Sequence, residues 1–77
     1  MLKIKDNVDL KELEKFGFKF NDSIGKWCFQ TQTMFEYIFI ASWNRNVTME
    51  SINGKASSVL FDLIQAGLVE KVGGESE

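Results

Sequence analysis

The sequence has no histidine and no proline, one cysteine and one arginine. Each scarcity removes a class of function. Without histidine, the one side chain that ordinarily titrates near neutrality is missing, and with it the commonest general base and metal ligand. A lone cysteine, Cys28, cannot close an internal disulfide, and no CxxC pair is available for zinc. Within "KWCFQ" it reads as a small hydrophobe on a strand. One unpaired thiol suits a reducing cytoplasm. The longest apolar run, "YIFIA", is far too short to cross a bilayer. No basic segment followed by an apolar stretch opens the chain as a signal peptide would. The expectation is a cytoplasmic protein with no membrane partner.

Charge narrows the field further. Nine basic residues face eleven acidic ones, for a net charge of −2. The lysines are scattered and Arg45 is the only arginine, whereas phosphate binding needs such residues gathered on one face. Nucleic acid is therefore not the favoured partner. The carboxylates form no catalytic constellation. Asp6, Asp9, Glu12 and Glu14 crowd the start of a helix, and Asp22 sits in a turn. "VGGESE" lacks the Lys-Ser/Thr pair and following helix of a phosphate loop. The expectation is a non-enzymatic protein with no catalytic residues, no cofactor and no metal site.

What remains is a chain well supplied with core. Of its 77 residues 44% are hydrophobic, including seven Phe and two Trp. Burying one Phe or Leu is worth roughly 1.5–3 kcal/mol, so folding needs no metal or disulfide. The absence of any linker predicts one domain over residues 1–72, and "GGESE" predicts a flexible tail over 73–77.

Local signals divide the domain. In "NVDLKELEKFGF", Asp9 is an N-cap and Glu12 stands at capping-box spacing. Leu10, Leu13 and Phe16 recur along one face. Gly17 suits the left-handed position that ends a helix, letting Phe18 fold back. "FKF" and "KWCFQ" alternate around the turn formers "NDSIG", which predicts a hairpin. "TMFEYIFIASW" is aromatic and β-branched, as strands prefer. It leads through "NRN" into "VTMESI". "KASSVLFDLIQAG" is a second helix, capped by Ser57 or Ser58 and stopped by Gly67. "LVEKV" closes as a short strand. The predicted class is α+β, with a small antiparallel sheet of four to five strands and two short helices packed mainly on one face.

Alternation in the sheet defines two faces. With a three-residue loop Asn44–Asn46 and Trp43 paired to Val47, one face carries Phe35, Tyr37, Phe39, Ala41, Trp43, Val47 and Met49. This aromatic face is expected to be the core. The other carries Ile38, Ile40 and Ile52 with Glu36, Glu50, Ser42 and Thr48. An uncovered isoleucine patch rimmed by acids would mark a protein contact. Ile38, Ile40, Ile52, Glu36 and Glu50 are therefore the candidate interface, for a foreign protein or for a second copy in a homodimer. Trp27, Phe29, Phe35, Tyr37 and Phe39 also raise base stacking on a sheet. Without interleaved basic residues they read instead as core aromatics.

Two resemblances bear on function. "VLFDLIQAGLVEKV" resembles the close of winged-helix DNA-binding regulators. That alternative requires Met34–Trp43 to be a helix. It leaves Val47–Val59 about one turn short for the two helices and turn that follow. Its recognition helix would offer Lys55, Ser57, Ser58, Asp62 and Gln65, with no arginine to read guanine. "KIKDNVDLKELEKFGFKF" and "LFDLIQAGLVEKV", residues 3–20 and 60–72, are similar to small proteins encoded in phages and prophages of low-GC Gram-positive bacteria. That resemblance implies a phage accessory role in the cytoplasm of a bacterial host. It brings no catalytic residues. The expected function is protein–protein contact, either self-association or modulation of a host or defence protein.

Overall fold

The computed structural model describes residues 2–30, 36–51 and 54–72. In chain order the elements are β1 (Leu2–Ile4), a 3₁₀ helix (Leu10–Phe16), β2 (Lys19–Asn21), β3 (Lys26–Gln30), β4 (Tyr37–Ala41), β5 (Val47–Glu50), α1 (Lys55–Gln65) and β6 (Val69–Lys71). The strands β2-β3-β4-β5 form an antiparallel sheet in sequence order, and β1 pairs with β6 in a second, two-stranded one. The protein is thus an α+β domain with both helices packed against the same face of the larger sheet. Ile52 and the expected tail, 73–77, lie outside the described residues.

The first helix is wound as a 3₁₀ helix, and its sequence explains why. Apolar residues every third position eclipse one another in a helix of three residues per turn, so Leu10, Leu13 and Phe16 form one straight stripe. Leu13 is fully buried and the other two pack against the core. Asp9 is the N-cap, accepting from the Lys11 N–H at 3.0 Å. Glu12 turns forward to pair with Lys15 at 2.9 Å, in place of the expected capping box. Gly17, at φ 94°, ends the helix. The Phe18 N–H then donates back to the Leu13 carbonyl, and Phe18 enters the core 2% exposed.

α1 ends by the same device. Gly67 has φ 79°, and the Leu68 N–H returns to the Leu63 carbonyl. Its start differs from expectation: the N-cap is Gly54, which has no side chain to offer, and Ser57 and Ser58 lie inside the helix. β1 carries no local signal strong enough to predict. It exists through its partners, pairing Leu2–Lys71, Lys3–Glu70 and Ile4–Val69, with a further bridge from Lys3 to Asn46.

The β4–β5 connection sets the two faces. Ile40 pairs with Val47, leaving four residues, Ser42–Arg45, between Ala41 and Asn46. Arg45, at φ 65°, takes a left-handed position in this loop. Its side chain offsets the strain: Nη1 donates to the Lys5 carbonyl at 2.8 Å and the Val8 carbonyl at 2.6 Å. The only arginine therefore staples this loop to the segment leading into the 3₁₀ helix.

This register overturns the expected faces. Val47 and Met49 lie beside Ile40 and Ile38, not beside the aromatics. Ile38 and Ile40 are 0% exposed and form the centre of the core with Ile4, Leu13, Phe18, Trp27, Ala56 and Leu63. The covered face carries Ile38 and Ile40 on β4 with Trp27 and Phe29 beside them on β3. Tyr37 and Phe39 are left on the other side. β4 is a strand in the middle of a sheet, so the helix that a winged-helix fold requires at this point is absent.

Candidate functional site

The candidate interface residues divide among different environments. Ile38 and Ile40 are in the core. Glu36 is 1% exposed, although its side chain is a carboxyl group. Glu50 is exposed and pairs across the sheet with Tyr37. Glu36 continues the parity of Ile38 and Ile40, so the two acids lie on opposite faces. No isoleucine patch ringed by acids is formed by the described residues.

Glu36 has a different task. Its Oε1 accepts from the Ala56 N–H at 2.8 Å, in the first turn of α1, and the Ser51 hydroxyl lies 3.4–3.5 Å from both carboxylate oxygens. Ser51 Oγ in turn faces the Ser57 N–H at 3.4 Å. Helix N-termini leave backbone donors unpaired and carry partial positive charge. Gly54 cannot cap them, so a carboxylate just ahead of β4, 20 positions before Ala56, does so. An acid extending an isoleucine stripe, followed by a helix preceded only by glycine, is the signal that could have revealed this pairing.

The face of the larger sheet that neither helix covers is the surface left for recognition. Register places side chains on it in three rows. Lys19, Cys28, Phe39 and Thr48 form one; Asn21, Lys26 and Ala41 the second; Gln30, Tyr37 and Glu50 the third. Tyr37 and Phe39 stack along β4 with ring centroids 4.6 Å apart and 21° between planes. Lys26 Nζ lies 5.8 Å from the centre of the Phe39 ring. Beside this ridge, over β2 and β3, the surface falls into an open depression of about 470 Å³ bordered by Gly17, Lys19, Asn21, Asp22, Cys28 and Gln30. Partial burial holds the Cys28 thiol pKa above its ordinary value, against the opposing pull of Lys26. The thiol is thus poor in thiolate and packs as a small apolar group. Trp27 and Phe29, also considered for base stacking, point to the helix-covered side. Phe35 lies outside the described residues.

Other apolar side chains are exposed elsewhere on the surface. Trp43 is 66% exposed and lies against Gly25, while Phe61 and Ile64 lie on the outer side of α1. Among the described residues no group of Cys, Asp and Glu is gathered as a metal would need. No described helix is long and apolar enough to cross a membrane. The chain matches no protein-family model, no curated protein and no solved structure.

Proposed function

We propose that the chain is a non-enzymatic accessory protein, of the kind carried by phages and prophages of low-GC Gram-positive bacteria, that acts in the host cytoplasm by protein–protein contact. The contact surface is the open sheet face built on Tyr37 and Phe39. One observation carries the proposal: a stacked aromatic pair lies on the sheet face that neither helix covers. Aromatic residues are enriched at the centres of interfaces, where they provide large contact area at small entropic cost. The resemblance of residues 3–20 and 60–72 to phage-encoded proteins supports the setting.

A DNA-binding role has no comparable support. Arg45, the residue best suited to guanine or phosphate, is engaged by two backbone carbonyls.

A pull-down from bacterial lysate, with the wild type and Phe39→Lys as paired baits, tests the contact surface. A protein retained by the first and lost by the second is the expected result. If nothing depends on Phe39 and the wild type is also monomeric, the proposal fails. The genomic setting tests the rest: a coding sequence far from any phage genes would argue against the accessory role.

A further inference from the structure

We infer that the occupant of the open sheet face is a second copy of the same chain, packed sheet to sheet about a two-fold axis parallel to the strands. This rests on the contact reading above and names its partner. The first support is shape. The face is asymmetric, with a ridge of Tyr37 and Phe39 on β4 and the depression over β2 and β3 beside it. A two-fold axis running between β3 and β4 lays β4 of each copy over β3 of the other, and β5 over β2. Phe39 then meets Cys28 of the second copy, and Tyr37 meets Gln30. Each ridge enters the other copy's depression. An isologous interface needs this kind of self-complementarity, each surface carrying both the knob and the hole.

The second support is charge. Across the face the basic residues, Lys19 and Lys26, lie on β2 and β3, while Glu50 lies on β5 at the far side. Reversing the strand order across the two-fold brings Lys19 of each copy over the β5 of the other, one row from Glu50. Two Lys19–Glu50 pairs form by symmetry. An axis perpendicular to the strands would instead set β2 on β2 and Lys19 against Lys19. Charge thus selects one of the two arrangements.

The face is small. Four strands about 4.8 Å apart and five residues of about 3.3 Å rise make a footprint well under a standard interface. The dimer is therefore weak, and it is sought at protein concentrations up to about 1 mM.

Sedimentation equilibrium on charge-reversal variants decides the matter. Lys19 and Glu50 are exposed, so Lys19→Glu and Glu50→Lys leave the fold intact. Each single reversal places like charges together twice and should weaken association at least about tenfold. The double variant Lys19→Glu/Glu50→Lys restores both pairs and should return to near the wild-type constant. An equimolar mixture of the two single variants should also associate, since each then meets its opposite. A wild type that stays monomeric at about 1 mM overturns the inference, as does a dimer indifferent to these reversals. If the wild type is monomeric but still retains a lysate protein through Phe39, the contact reading stands and only the second copy is refuted. A monomer that binds a fluorescent single-stranded oligonucleotide, and loses it on Phe39→Lys, would overturn both in favour of base stacking.

Discussion

Replacing Glu36 with alanine removes the carboxylate that caps α1 and leaves the Ala56 N–H without its acceptor in a buried position. An orphaned buried donor costs about 1–3 kcal/mol. Loss of one packed methylene adds about 0.8 kcal/mol. The expected total is about 3 kcal/mol. A chain of this length has on the order of 4–11 kcal/mol of stability, so the variant stays folded but is severely weakened. At about 4–8 °C per kcal/mol, its midpoint falls by about 12–24 °C. Glu36→Gln separates hydrogen bonding from charge. It keeps an acceptor at the same reach and loses the attraction of an anion for the helix terminus, about 0.3–2 kcal/mol. Relief from burying a charge offsets part of that loss. It should therefore lie within about 1.5 kcal/mol of the wild type. Urea unfolding followed by circular dichroism measures both, and hydrogen exchange at the Ala56 amide locates the effect. Alanine costing under about 1 kcal/mol, or glutamine costing as much as alanine, would refute the capping role.

The faces of the sheet make a paired prediction: Ile40→Lys should unfold the domain, because a buried unpaired charge costs several kcal/mol, while Phe39→Lys should melt near the wild type. Thermal melts on both check it, and the opposite ranking would reverse the faces. Gly67→Val should cost about 1–3 kcal/mol, read by urea unfolding, through backbone strain at φ 79°, since beyond its chain neighbours no atom lies within 4 Å of the added Cβ. Arg45→Ala should lose about 2–3 kcal/mol in the same assay through two charge-assisted hydrogen bonds, and Arg45→Lys should recover less than half, because one ammonium cannot reproduce the guanidinium geometry. The hydrogen bond from Lys3, and then its charge, hold the Asp6 carboxyl below its ordinary 3.8. Its contribution is present above that value and is lost as pH falls through the lower folded value. An NMR titration should show the depressed midpoint, and Lys3→Gln should bring it back toward 3.8.

Local chemistry was legible wherever neighbours in sequence decide the outcome. The Asp9 cap, the glycine stops at Gly17 and Gly67, the β2–β3 hairpin and the strand character of residues 37–41 all depend on groups a few positions apart. The α+β class followed from them. The pairing of β1 with β6 was not legible, because a three-residue segment, Leu2–Ile4, is too short to read as a strand until a partner from the other end arrives. The cap on α1 was equally hidden, since Glu36 and Ala56 meet only after the sheet and helix have packed.

The choice of sheet face lay with tertiary structure for the same reason. Alternation separates Ile38 and Ile40 from Tyr37 and Phe39 without saying which pair the helices will cover. Hydrophobicity favoured the aromatics. The decision came from the Ser42–Arg45 loop, whose length sets the pairing of Ile40 with Val47 and so adds Val47 and Met49 to the isoleucine side. Arg45 holds that loop in a left-handed turn through carbonyls 37 and 40 positions away. Sequence determined which residues share a side. A long-range hydrogen bond and the packing of two helices determined which side became the core and which was left open.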